Sequence, residues 1–290
     1  MNWRLKCLFF YALQPFPGLH KFAQKYVTRR YLETVDRQLL GVYDFHVDNF
    51  RRLPPNSTAM EFGAGRNLLG SLLLSHAGAA RVYAFDLQRL ATVEQVNAVI
   101  VQLRELLGGH WPLIETLDDL SAYRIEYRAP GDARRTGLES VDFVFSTSTL
   151  EHIPADSLRE IHAECARLRP SFASHIIDYH DHYASSDASI SRTNFYRFGP
   201  RAWSFYNPSM HFQNRLRHSD QLALFAGAGF VPVVDRRVVG QDLAPELAPE
   251  FRHYSAEDLA TMNSFVLLKR TDAGQEAVVS SLREASGQHS

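Results

Sequence analysis

The chain has 290 residues, 45% of them hydrophobic, enough for one large α/β domain with additions. Its 31 basic and 32 acidic residues give a net charge of −1, which argues against a nucleic-acid partner held by phosphate contacts. The only two cysteines, Cys7 and Cys165, make no disulfide framework and point to a reducing, cytoplasmic setting, and no apolar run reaches the roughly 18 residues of a membrane span.

Met1–Leu13 carries Arg4, Lys6 and the apolar stretch from Cys7 to Leu13. The charge order is that of a signal peptide, but the stretch is short and no small-residue cleavage site follows. After Gln14-Pro-Phe-Pro-Gly18, a second basic and aromatic stretch runs over His20–Tyr31. The expected role is a helical extension capping the domain. The alternative is a peripheral membrane contact through residues 1–31, or a homodimer contact. Residues 32–53 show helical spacing of Leu32, Val35, Leu39, Leu40, Tyr43 and Val47, ended by Pro54-Pro55.

Residues 60–66 read Met-Glu-Phe-Gly-Ala-Gly-Arg, and Asp86 ends the next apolar run, Arg81–Asp86. Two acidic residues at strand ends around a Gly-x-Gly turn fit a nucleoside held across two parallel strands. Gly63 and Gly65 allow a tight turn and close ligand approach, and Asp86 suits ribose hydroxyls. A dinucleotide site reads G-x-G-x-x-G, whereas the next glycine here is Gly70. Glu61 would repel a pyrophosphate and suit an ammonium group. These points oppose a nucleotide-dependent oxidoreductase.

The expected helices that follow are Asn67–His76, Gln88–Leu107 before Gly108-Gly109, and Pro154–Arg169 before Pro170. Phe172–Asp178 is the fifth strand, Ser219–Ala228 a helix before Gly229, and Phe230–Val239 with Ser264–Lys269 an antiparallel pair. Tyr179–His218, rich in aromatic, His, Asn and Arg residues, follows a strand's carboxyl end and is expected to overhang the ligand crevice.

Four segments together resemble class I S-adenosylmethionine-dependent methyltransferases: Glu61–Gly65; Asp86; Ile125–Ala133 with its Gly-Asp-Ala turn; and Val141–Pro154, containing Leu150-Glu-His-Ile153. His175-Ile-Ile-Asp178-Tyr-His-Asp181-His182 and Asn214-Arg-Leu-Arg217-His-Ser-Asp220 resemble segments of a bacterial subset, roughly H-x-x-D-x-x-D-H and N-R-L-R-x-S-D. The resemblance implies a Rossmann-like, seven-stranded, mostly parallel sheet over 54–270. An N-terminal helical extension spans 1–53, a cap insertion 179–218 and a disordered tail 271–290.

The implied cofactor is S-adenosyl-L-methionine, bound by Glu61, Gly63, Ala64, Gly65, Asn67, Asp86, Leu87, Asp132, Ala133, Ser146 and Glu151. Methyl transfer to a hydroxyl needs a base for its proton. His182 is the first choice, oriented by Asp181 or Asp178, and His152 is its rival. Asn214, Arg215, Arg217 and Tyr183 are expected to hold the acceptor. Trp203, Phe205 and Tyr206 would either stack on it or form the cap's own core. His175, Asp178, His180, Asp181 and His182 suggest a metal cluster, but strand alternation sends His175 and Asp178 to opposite faces, so no metal is expected. The expected activity is O-methylation of a small polar acceptor such as a sugar or glycan intermediate. The alternatives are a lipid or quinone-type acceptor at a membrane surface, or a non-catalytic cofactor-binding partner protein.

Overall fold

The computed structural model describes residues 1–16, 34–241 and 246–271. The pattern over 20–31 and the tail from 272 onward lie outside the described residues. Seven strands form one sheet: β1 Thr58–Phe62, β2 Arg81–Phe85, β3 Ile125–Arg128, β4 Phe143–Thr147, β5 Phe172–Asp178, β6 Phe230–Val239 and β7 Thr261–Arg270. Their order is β3-β2-β1-β4-β5-β7-β6. The first five run parallel, and β7 is antiparallel to both its neighbours. This is the expected Rossmann-like sheet. Its order reverses between β1 and β4, and the crevice outside the carboxyl ends of such strands is where ligands bind.

The central strands are short apolar runs covered on both faces, as buried parallel strands must be. Alternation sorts their side chains. Ala59, Phe143 and Phe145 join the layer formed with helices α2 (Arg37–Phe50), α3 (Leu69–His76) and α4 (Val93–Leu107). Met60, Phe62 and Val144 join the opposite layer with α5 (Ala155–Arg167) and α7 (His218–Gly227).

Three helices begin later than apolar spacing implies, each for a local reason. The Asp36 side chain accepts from Leu39 N at 2.8 Å, so α2 starts at Arg37 rather than near residue 32. Leu68 is fully buried in the left-handed region at φ 55°, which delays α3 to Leu69. The Asp86 side chain accepts from Gln88 N at 3.1 Å and Thr92 caps α4, so residues 88–92 stay out of the helix.

Between β5 and α7 the chain forms the cap. It contains a 3-10 turn at Asn194–Arg197, the short helix α6 (Pro200–Tyr206) and a 3-10 turn at Ser209–His211. The cap has its own core of Tyr183, Phe195, Tyr196 and Trp203, joined by Phe251 and Leu259. Helix α1 (Trp3–Leu13) docks on this core through Trp3 and Cys7. The Trp3 ring lies 4.7 Å from Tyr206 and 5.5 Å from Tyr183. Trp203 therefore serves the cap's core, whereas Phe205 is exposed. Among the described residues no helix is long and apolar enough to cross a membrane.

Candidate active site

The loop after β1 is built by two glycines in left-handed conformations, Gly63 at φ 71° and Gly65 at φ 72°. A side chain at Gly63 would collide with Thr149 in the turn after β4, so this loop is pressed against that turn. A Cβ at Gly65 would meet only the Gly63 carbonyl, at 4.0 Å, leaving that backbone open to a ligand. Asp86 ties the loop to β2: its Oδ2 accepts from Gly65 N at 3.0 Å while Oδ1 accepts from Gln88 N. Burial raises its pKa, and these donors oppose the rise. A carboxylate has about four lone-pair sites, so Asp86 retains acceptor capacity. Ala64 donates its N–H to Phe85 O at 3.1 Å, Asn67 Oδ1 accepts from Leu69 N at 3.1 Å, and the Leu87 side chain is exposed.

Glu61 lies beneath the loop, buried, with Oε2 accepting from Ser71 Oγ at 2.6 Å. Burial pushes its carboxyl up to about 8. A Cβ at Gly70 would run into Glu61 and Phe145. The glycine whose spacing rules out a dinucleotide motif therefore serves close packing of α3 on β1.

The third-strand turn reaches the same place, with Gly131 N donating to Asp86 O at 2.8 Å. Ala133 is buried. Asp132 accepts from its neighbour Arg134 along the guanidinium edge at 2.8–3.0 Å, so its carboxylate is engaged by Arg134. Ser146 is fully buried and hydrogen-bonded to His175 Nδ1 at 2.9 Å. His175 in turn stacks on Phe225 of α7. That pair faces the layer formed with α5 and α7, so the Ser146 hydroxyl expected to meet the cofactor is engaged by His175.

Across the strand reversal, β4 and β5 deliver a cluster of imidazoles and carboxyls. Glu151 is buried with neither oxygen hydrogen-bonded. Burial, reinforced by the nearby Asp178 carboxylate, raises its pKa well above the usual range. The neighbouring His152 donates from Nδ1 to Phe212 O at 2.8 Å. Nδ1 must therefore carry the proton, leaving Nε2 as the basic nitrogen in the neutral ring. Desolvation and the adjacent His182 lower the His152 pKa, against that hydrogen bond.

The His182 ring lies 4.8 Å from that of His152, and its Nε2 is 3.6 Å from Asp178 Oδ2. His180 Nδ1 makes a short contact with Asp178 Oδ1. Although burial acts to raise the Asp178 pKa, the two imidazoles hold it below the ordinary carboxylate range. Asp178, rather than Asp181, is thus the carboxylate facing His182. Asp181 is fully buried and accepts from Tyr183 N at 2.8 Å and Asn194 Nδ2 at 3.1 Å, bracing the cap.

Two sets of side chains bring ligand atoms within 4.8 Å of one another, Glu151 with His152 and His182, and Asp178 with His180 and His182. Either could hold a metal ion. His211 lines the same region, its ring 6.2 Å from His182, and burial pushes its pKa down to about 3.

The four expected acceptor ligands are committed elsewhere. Asn214 Nδ2 donates to Leu150 O and Ile153 O, both at 2.7 Å, pinning the turn that carries Glu151 and His152. Arg215 pairs with Glu250 at 2.5 Å and packs over Trp203 and Phe251. Arg217 is fully buried and donates to Tyr179 O and Tyr196 Oη. Tyr183 Oη donates to Tyr206 O at 2.8 Å. Asn214 and Arg217 tie the cap to the chain just after β4 and β5, Arg215 ties it to the segment carrying Glu250, and Tyr183 braces it internally. The residues that the sequence reading did not single out, Thr149 and His211, carry no motif of their own and are placed only by the fold. A separate cavity of about 460 Å³ lies between the start of α7, β6 and the short helix α8 (Ala256–Ala260), lined by His218, Asp235 and Tyr254 among others. It contains none of the crevice residues.

No family model and no curated protein sequence matches the chain. Solved structures do. The PH0226 protein from Pyrococcus horikoshii OT3 is 11% identical, covers 87% of this chain and 99% of its own, and superposes with a TM-score of 0.50. Magnesium protoporphyrin IX methyltransferase from Synechocystis PCC 6803, with bound SAH, is 13% identical over 90% of this chain and 97% of its own, with a TM-score of 0.48. Geranyl diphosphate C-methyltransferase from Streptomyces coelicolor A3(2), with Mg2+, geranyl diphosphate and S-adenosyl-L-homocysteine, is 15% identical over 80% and 79%, with a TM-score of 0.47. The likeness is one of fold: a Rossmann-like, seven-stranded, mostly parallel sheet with helices on both faces.

Proposed function

We propose that the protein is an S-adenosyl-L-methionine-dependent methyltransferase that methylates an oxygen of a small polar acceptor such as a sugar or glycan intermediate. The observation that carries this reading is the meeting, at the strand reversal, of the Gly63–Gly65 loop bound to Asp86 with the turn bearing Glu151 and His152. The open backbone at Gly65 and the spare acceptor capacity of Asp86 fit the amino-acid and ribose parts of the cofactor. With Asp132 engaged by Arg134, the adenine end falls to the backbone around Gly131–Ala133.

The bound cofactor supplies a methyl group on a sulfonium, open to in-line displacement. The chain's task is to place the acceptor oxygen on that line and to take its proton. His182 does this, oriented by the Asp178 carboxylate, which also stabilises the imidazolium that forms. His152, its proton fixed on Nδ1 by Phe212 O, points a second basic nitrogen into the same region. No metal is required for these steps.

The test is transfer of a labelled methyl group from the cofactor to a panel of free and lipid-linked sugars. Wild type labels one acceptor class, and His182→Ala lowers kcat about 10²- to 10⁴-fold with cofactor affinity unchanged. Cofactor binding without transfer to any acceptor class would favour the non-catalytic alternative. A lipid or quinone-type acceptor is the second reading, favoured by the apolar outward face of α1 beside the crevice.

A further inference from the structure

Helix α1 has two different faces. Trp3 and Cys7 are buried in the cap core, and the helix is tied down by Tyr11 Oη donating to Ser204 O at 3.0 Å and Lys6 Nζ to Ser186 Oγ at 3.0 Å. At about 100° per residue, Leu5, Leu8, Phe9 and Ala12 fall on the opposite side. Leu5 is 61% and Leu8 65% exposed, and Met1, Phe9, Tyr11 and Phe16 are exposed as well. Arg4 and Lys6 fall on the two flanks of this stripe. Phe205 of the adjoining α6 is the most exposed large apolar side chain among the described residues.

Docking on the cap accounts for Trp3 and Cys7 but not for Leu5, Leu8 and Phe9. The charge distribution indicates what does. Residues 1–31 contain six basic residues, Arg4, Lys6, Lys21, Lys25, Arg29 and Arg30, and no Asp or Glu. The chain as a whole has a net charge of −1, so the remainder is net acidic. A second copy meeting this face with its own same face, as in a two-fold dimer, would set like charges against each other. An anionic bilayer would attract the flanking cations and receive the apolar stripe.

We infer that α1 is a docking surface for an anionic lipid membrane, and that it seats the crevice mouth at the lipid headgroups. Helix α1 borders the crevice: the Phe10 ring stacks on His211 at 4.9 Å, and His211 neighbours His182. That the acceptor is met at this surface rests on the methyltransferase reading; the docking itself does not.

The experiment is co-sedimentation of the full chain, without cofactor, with phosphatidylcholine vesicles containing roughly a third phosphatidylglycerol and with pure phosphatidylcholine vesicles. Wild type sediments with the anionic vesicles, sediments weakly with the neutral ones, and is released by about 0.5 M salt. The double variant Leu5→Asp, Leu8→Asp loses vesicle binding on the order of tenfold or more. Both sites are exposed, so its melting temperature and cofactor affinity stay at wild-type values. Absence of wild-type binding to anionic vesicles, or binding unchanged in the double variant, overturns the inference. Light scattering that shows a dimer dispersed by the double variant, with no vesicle binding, would assign the face to a second copy instead. Because the readout needs no cofactor, its failure is distinct from failure of the methyltransferase reading.

Discussion

Asp178 is the residue on which the proposed chemistry turns, because one carboxylate serves two imidazoles. Asp178→Asn keeps the size and removes the charge that favours the His182 imidazolium. The expected result is a fall in kcat with little change in cofactor affinity. A kcat within twofold of wild type would remove Asp178 from the reaction. Gly63 makes a structural demand at the same scale. Its left-handed φ and its contact with Thr149 mean that Gly63→Ala should cost at least about 1–2 kcal/mol in folding stability and weaken cofactor binding, measured by denaturant melts and titration.

At the scale of elements, the cap is held by the fully buried Arg217 and by the half-buried Arg215 paired with Glu250. Arg217→Ala leaves Tyr179 O and Tyr196 Oη without their donor and opens a cavity, so a loss of about 3–5 kcal/mol is expected. Arg217→Lys should recover only part of it, because a single ammonium cannot reproduce the forked guanidinium contacts. Limited proteolysis should show cleavage within the cap before the sheet. The strands were legible in the sequence because each central strand is a short apolar run bounded by turn residues, and because Glu61, Gly63, Gly65 and Asp86 mark consecutive strand ends. Helix starts were less legible: Asp36, Leu68 and Thr92 set them by local geometry that apolar spacing does not record. The partners of Arg215, Arg217 and Asn214 were not legible for a related reason. A charged or amide side chain in a loop reads as a ligand-binding group, and only the folded cap shows that it is spent on carbonyls and on Glu250. Asp181 and Asp178 looked equivalent in sequence; strand β5 ends at Asp178 and leaves it alone facing His182.

At the scale of the molecule, buried titratable groups set the pH dependence of stability, and His211, pushed down to about 3, acts in the same sense as three buried neutral histidines. His46, His162 and His175 are buried neutral, the first two with pKa values pushed down to about 3 and the third well below 6.5 by desolvation. Between about pH 3 and 6.5 the unfolded chain binds protons at these sites and the folded chain does not, so each removes up to about 1.4 kcal/mol of stability per pH unit of acidification. Glu61, raised to about 8, and Glu151, raised well above 4.5, act in the opposite sense. Above pH 4.5 the folded state retains protons that the unfolded state has lost, so stability falls as pH rises through their folded pKa values. Below 6.5 the histidines outweigh the two carboxyls; above it only the carboxyls act. The protein without cofactor should therefore be most stable near pH 6.5 and lose stability on both sides. A melting temperature that rises steadily from pH 6.5 to 8 would contradict these assignments.

The central claim is that the ends of β1 and β2 form a cofactor site, and calorimetric titration with S-adenosyl-L-methionine and S-adenosyl-L-homocysteine, on wild type and on Asp86→Ala, tests it most directly. The predicted result is micromolar binding, on the order of −8 kcal/mol, weakened at least tenfold in a folded Asp86→Ala variant, or about 1.4 kcal/mol. A folded wild type that binds neither ligand, or an Asp86→Ala variant that binds both unchanged, would contradict it.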